Sequence, residues 1–195
     1  RLRVIVWIAA SNRSVSSRCG SADVLEKLGV RLDLNPQQLR QCLDQTNICF
    51  AFARNHHPAM KHVASARSAL GVPTIFNLLG PLTNPARAHC QLLGVYSRHL
   101  TELLAGVLKE MGSRRAWVVH ADDGLDELST LGPTYVCELN DGAIDCFTLD
   151  PTTLGLPRSN LADLQVDSID ASAAAIRAIV EGERGPMRDI AALNA

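Results

Sequence analysis

Four carboxylates crowd into six residues at Asp122, Asp123, Asp126 and Glu127, directly after the apolar run Ala116-Trp117-Val118-Val119. Layered α/β proteins gather their ligand sites at the carboxyl ends of buried strands. Magnesium takes one or two protein carboxylates and fills the rest of its shell with water and phosphate oxygens. The adjacent pair Asp126-Glu127 is therefore a candidate holder. A solvated acidic turn, with Asp122 or Asp123 as a helix N-cap, fits the same positions.

A second candidate is the small-residue loop Asn12-Arg13-Ser14-Val15-Ser16-Ser17-Arg18-Cys19-Gly20-Ser21-Ala22-Asp23, which leads into the amphipathic stretch Val24-Leu25-Glu26-Lys27-Leu28. Unpaired N–H groups and the positive end of a helix dipole attract phosphate, and serine hydroxyls with Arg13 add donors. Position alone equally allows a serine-rich loop in which Ser21 or Asp23 caps the helix. Further on, His56-His57-Pro58-Ala59-Met60-Lys61 opens a segment containing Arg67. Adjacent side chains on an extended strand point to opposite faces, so paired histidines there rarely share a metal; one is better suited to hydrogen bonding. Arg67, about two and a half turns into a helix, could reach a carboxylate, although its position taken alone suits a solvated surface arginine. Gly80-Pro81-Leu82-Thr83-Asn84-Pro85 reads as a rigid turn that shapes a pocket wall.

These residues need a scaffold, and the hydrophobic pattern supplies one. Strands are expected at 3–9, 48–53, 91–95, 115–120, 134–139 and 143–148, and helices at 21–29, 36–46, 58–70, 98–112, 170–182 and 186–195. Their alternation favours an α/β layered fold. The stretch from Asp150 to Asp167, with Pro151, Gly155 and Pro157, reads as a surface connection within one domain spanning 1–195. The chain opens within an apolar strand and closes within a helix, so an incomplete domain is expected.

Composition narrows the function classes. A formal net charge of −1, with 20 acids against 19 Lys and Arg, offers no clustered positive charge for nucleic acid. The run Val4 to Ala10 is far short of the roughly 20 apolar residues of a membrane span, and no signal peptide is evident. The cysteines, Cys19, Cys42, Cys49, Cys90, Cys137 and Cys146, lack the spacings of a zinc site. They read as free thiols of a cytoplasmic protein. Cys137 and Cys146 flank a hairpin turn at Asn140-Asp141-Gly142 and could face each other.

The order and spacing of Ser14-Val15-Ser16-Ser17, Gly20-Ser21-Ala22-Asp23, His57-Pro58-Ala59-Met60-Lys61, Gly80-Pro81-Leu82-Thr83-Asn84-Pro85, Asp123-Gly124-Leu125-Asp126-Glu127-Leu128 and Gly182-Glu183-Arg184-Gly185-Pro186 resemble the anthranilate phosphoribosyltransferase family of tryptophan biosynthesis. The resemblance implies the phosphoribosyltransferase/nucleoside phosphorylase catalytic domain, a mixed β-sheet flanked by helices, lacking most of the family's small helical domain. It implies pentosyl transfer from phosphoribosyl pyrophosphate to anthranilate with Mg2+, in a cytoplasmic homodimer, with neither nucleic acid nor membrane as partner. Asn12, Arg13, Ser14, Val15, Ser16, Ser17 and Ser21 would then bind phosphoribosyl pyrophosphate. Asn12, His57, Arg67 and Pro81 would meet anthranilate, and Asp126 and Glu127 would hold the metal; no residue is implied as an acid or base catalyst. The resemblance thus reverses the plainer reading of Arg67.

One departure stands out. Where the family carries Lys-His-Gly-Asn, this chain has Ala9-Ala10-Ser11-Asn12, so a phosphate-binding cation and its neighbouring histidine are replaced. The glycine-rich pyrophosphate loop would fall upstream of Arg1, and the expectation is a chain inactive on its own. Two other readings are a pyrimidine nucleoside phosphorylase, disfavoured by Gly20-Ser21-Ala22-Asp23 and Arg67, and a non-catalytic nucleic-acid-binding relative, disfavoured by the scattered arginines.

Overall fold

The computed structural model describes residues 4–8, 20–52, 69, 75–83 and 88–195, with 4–8, 75–77 and 81 described by backbone alone. The chain divides into two compact units, Arg1–Arg87 with Asp167–Ala173 and Ala88–Val166 with Ala174–Ala195.

In the first unit, β1 (Val4–Ile8) pairs in parallel with β2 (Ile48–Phe52), Val4 opposite Ile48 and Ile8 opposite Phe52. Parallel neighbours require a crossover, and α1 (Ser21–Lys27) and α2 (Pro36–Thr46) lie between them in sequence. The ends of α2 are written into its sequence. Asn35 and Gln38 form a reciprocal capping box, Pro36 occupies the first turn, and Asn47 stops the helix in the left-handed region at φ 62°. Its Leu39 and Leu43 pack on Cys49 and Ala51 of β2.

The first half of the segment read as a rigid turn is helical instead: α3 spans Ile75–Leu82 and carries Gly80 and Pro81 within it, while Asn84 and Pro85 lie outside the described residues. Proline removes one backbone donor, here in the final turn, after six helical residues have already been laid down. Thr83 closes the end, its N–H reaching the Leu79 carbonyl at 3.0 Å and its hydroxyl reaching the same carbonyl at 2.8 Å.

The second unit is a mixed sheet in the order β3 (Cys90–Gly94), β4 (Arg115–Ala121), β5 (Thr134–Asn140), β6 (Ala143–Leu149). Strands β3 and β4 are parallel, linked through α4 (His99–Glu110), and β4, β5 and β6 are successively antiparallel. All six expected strands are present within a residue or two. Helix α4 buries Leu100, Leu104 and Leu108 at helical spacing and packs on β4, β5 and β6. On one sheet face Val119, Val136 and Leu128 form a cluster with Trp117, Phe147, Leu149 and Leu193.

The stretch after β6 is more ordered than a plain connection. It holds a 3₁₀ turn at Pro151–Leu154 and a short helix α5 (Leu161–Leu164), ahead of α6 (Ile169–Val180) and α7 (Pro186–Asn194). Gly185 precedes α7 at φ 147°, which a side chain would disfavour, and Pro186 starts the helix with φ already restricted. Helix 58–70 was expected across positions of which only 69 is described, and it is helical there.

The reading of six free thiols fails at one pair. Cys137 and Cys146 are directly opposite in the β5–β6 ladder, with Cα atoms 4.2 Å apart, and form a disulfide. The two-residue turn Asp141-Gly142, with φ of 44° and 90°, sets that register. Cys42, Cys49 and Cys90 are free; Cys19 lies outside the described residues. Among the described residues, no helix is long and apolar enough to cross a membrane.

Candidate functional site

The carboxylate segment grows from the adjoining ends of β3 and β4. Val95 donates its N–H to Val119 at 3.0 Å, and His120 donates from Nδ1 to the Val95 carbonyl at 2.8 Å, tying the strand ends together. Beyond them the chain turns tightly, Gly124 N–H reaching the Ala121 carbonyl and Ala121 N–H the Leu125 carbonyl.

Asp123 is used up by this turn. Its Oδ1 accepts the Leu125 N–H at 3.0 Å and its Oδ2 accepts the Ser129 hydroxyl at 2.5 Å. Neither Asp122 nor Asp123 caps a helix, because the chain goes on through turns and bends to β5 rather than into a helix. Asp126 and Glu127 are different: both are exposed, and among the described residues no donor or cation engages either side chain.

Although Glu127 keeps solvent contact, partial dehydration of its carboxyl by surrounding atoms, then Asp126, then Asp123, push its pKa above the ordinary glutamate value. A cation at the pair would relieve that penalty. Among the described residues no group of three or more metal-ligating side chains occurs, but magnesium needs only one or two carboxylates from protein. The pair fits it.

The raised value has a definite pH consequence. The unfolded Glu127 ionises first, so its contribution to stability is least favourable above the folded pKa and improves as pH falls towards the unfolded value. Glu127→Gln is expected to raise the Tm at pH 7 in the absence of metal, with the difference vanishing below about pH 4, near the unfolded glutamate value. Thermal melts across pH measure it; a Tm lowered at pH 7 would contradict the strain assigned to this carboxylate.

Gly94 is a site residue that the motifs did not reveal. A Cβ there would overlap the carbonyl oxygen of Asp126 and lie 2.5 Å from its carbonyl carbon. The end of β3 therefore abuts the backbone of the candidate metal pair, and glycine alone leaves it room. Asn194, on α7, touches the following residue, Leu128, at 2.9 Å. A glycine at a strand end was a faint signal for the first; nothing local marked the second.

The remaining expected residues are placed only in part. Ser21 is exposed at the first position of α1, and the N-cap is Gly20 with no side-chain cap bond, so neither Ser21 nor Asp23 caps that helix. Pro81 lies in α3, where only its backbone is described. Asn12, Arg13, Ser14, Val15, Ser16, Ser17, His57 and Arg67 lie outside the described residues.

The sequence pattern of the glycosyl transferase family, a/b domain, matches residues 6–195. The chain belongs to this glycosyl transferase family. Among similar relatives, the anthranilate phosphoribosyltransferase of Moorella thermoacetica is 54% identical over 184 residues, covering 94% of this chain and 54% of the relative. The glycosyl transferase domain also matches the crystal structure of the Thermus thermophilus anthranilate phosphoribosyltransferase at a TM-score of 0.85, with 44% identity over 93% of this chain and 54% of that one. It matches the Saccharomyces cerevisiae enzyme, solved in complex with PRPP and Mg, at a TM-score of 0.79 with 28% identity, over 90% of this chain and 51% of that one. The glycosyl transferase chain thus spans about half the length of the relatives it matches.

Proposed function

We propose that this domain serves phosphoribosyl transfer from phosphoribosyl pyrophosphate to anthranilate, giving N-(5-phosphoribosyl)anthranilate and pyrophosphate in tryptophan biosynthesis. The observation that carries the reading is the pair Asp126-Glu127, exposed and unpaired among the described residues, with the Glu127 carboxyl pushed above its ordinary pKa, on a fold shared with an anthranilate phosphoribosyltransferase at 44% identity. In the reaction the anthranilate nitrogen forms a bond to the ribose anomeric carbon. The bond from that carbon to pyrophosphate breaks with its electron pair, and the amine releases a proton.

Magnesium, held by Asp126 and Glu127, would neutralise charge that develops on the departing pyrophosphate. The loop Asn12 to Ser17 and Ser21 would hold phosphoribosyl pyrophosphate by backbone and hydroxyl donors. Arg67 would grip the anthranilate carboxylate through a two-pronged charge-assisted contact, with Asn12, His57 and Pro81 bounding the aromatic ring. An aromatic amine is already neutral at pH 7, so orientation against the anomeric carbon matters more than a strong base. The same resemblance supports a cytoplasmic homodimer.

The test is isothermal titration of the chain with magnesium, alone and with inorganic pyrophosphate. Weak binding of magnesium alone, tightened by pyrophosphate, is expected because two carboxylates leave most of the shell to other oxygens. Asp126→Asn with Glu127→Gln should weaken the pyrophosphate-dependent binding at least about tenfold, the scale of one lost charge-assisted contact. Tight binding of magnesium alone, indifferent to both substitutions, would rule out this assignment.

A further inference from the structure

We propose that Asn194 is a positioning residue for the metal carboxylates, an inference that rests on the function proposed for Asp126 and Glu127. Its amide makes three hydrogen bonds. Oδ1 accepts the Leu128 N–H at 2.9 Å, while Nδ2 donates to the Leu128 carbonyl at 2.7 Å and to the Ile190 carbonyl of its own helix at 3.0 Å. The bond to Ile190 fixes the side chain against α7. The other two grasp both backbone groups of the residue immediately after Glu127, as a neighbouring strand would.

The clamp is backed by packing on one side and by sterics on the other. Leu193, next to Asn194, packs against Val119, Leu128 and Val136, so α7 is seated where the amide can reach. Across the segment, Gly94 admits the Asp126 backbone with no space to spare. Residues 126–128 are thus held between the end of β3 and the end of α7, and ligating oxygens are placed best when the backbone bearing them is fixed by outer contacts. An amide that served α7 alone would need only its bond to Ile190. The pair of bonds to Leu128 adds nothing to the helix and fixes the carboxylate segment.

The test measures binding and backbone protection in the 195-residue chain, side by side. Asn194→Ala is expected to speed hydrogen exchange at the Leu128 amide and to weaken magnesium-dependent binding of inorganic pyrophosphate about tenfold, the scale of a disturbed outer contact at a metal site. Asn194→Ser, too short to reach Leu128, gives the same losses, and Asn194→Gln, which keeps both amide functions, recovers part of each. Leu108→Ala, in the buried face of α4 and apart from the clamp, is the control, lowering the Tm through lost packing while leaving the affinity near wild type. If Asn194→Ala and Asn194→Ser keep wild-type affinity, or lose it only in the proportion that Leu108→Ala does, the clamp is overturned. A wild-type chain without magnesium-dependent pyrophosphate binding removes the proposed function together with the clamp, an outcome distinct from unchanged binding in the Asn194 variants.

Discussion

Ala9→Lys combined with Ala10→His and Ser11→Gly is expected to raise phosphoribosyl transfer by on the order of a hundredfold, in a chain completed with the rest of the Moorella thermoacetica relative. The reason is electrostatic. A fixed donor aimed at charge that grows in the transition state is worth roughly a hundredfold to a thousandfold when removed, and Ala9 offers none where the family has lysine. Uniform binding of the phosphates would not produce this gain, since only contacts stronger in the transition state than in the ground state raise the rate. Magnesium-dependent loss of anthranilate fluorescence in the presence of phosphoribosyl pyrophosphate gives the rate. The unmodified 195-residue chain should show no measurable turnover in the same assay. Equal rates before and after the three substitutions would detach these positions from the phosphate site.

Gly94→Ala should be the most damaging single substitution in the second unit relative to its size. One methyl group would overlap the Asp126 carbonyl, so backbone must move against backbone, and no flexible side chain can absorb the shift. Overpacking of this kind costs typically about 1–3 kcal/mol, or roughly 2–12 °C in Tm for a chain of this length. Displacement of the carboxylate pair should reduce magnesium-dependent pyrophosphate binding by more than about tenfold, since small misplacements of positioned groups carry large losses. Calorimetry and titration on one preparation measure both. A variant that melts and binds as wild type would show that β3 yields without disturbing residues 126 and 127.

The strands were legible because their information is local. Ala116-Trp117-Val118-Val119 and Tyr135-Val136-Cys137 carry β-branched and aromatic residues in runs of strand length, and Asn140-Asp141-Gly142 announces its turn. Asn35-Pro36 and Gly185-Pro186 likewise announce helix starts. Helix α3 was hidden because Gly80 and Pro81, ordinarily breakers, sit in its last turn. The pair Asp126-Glu127 was visible by charge. Its supports were not: Gly94 matters through a neighbour 32 positions away and Asn194 through one 66 positions away, distances at which composition and periodicity carry no information. The disulfide lay between these cases, since the turn brought Cys137 and Cys146 opposite each other while the choice between thiol and bond depended on setting.

The contacts that frame the carboxylate pair also differ in what the unfolded chain must surrender to make them. The β5–β6 hairpin closes around a two-residue turn and is cross-linked between residues only nine apart. Joining Leu128 to Asn194 closes a span of 66. With closure entropy growing as the logarithm of length, the longer span costs about 2 kcal/mol more than the nine-residue one. Closing the hairpin therefore orders far less chain than joining α7 to the carboxylate segment does. A chain that makes its short closures first thus builds the sheet before α7 fixes residues 126–128.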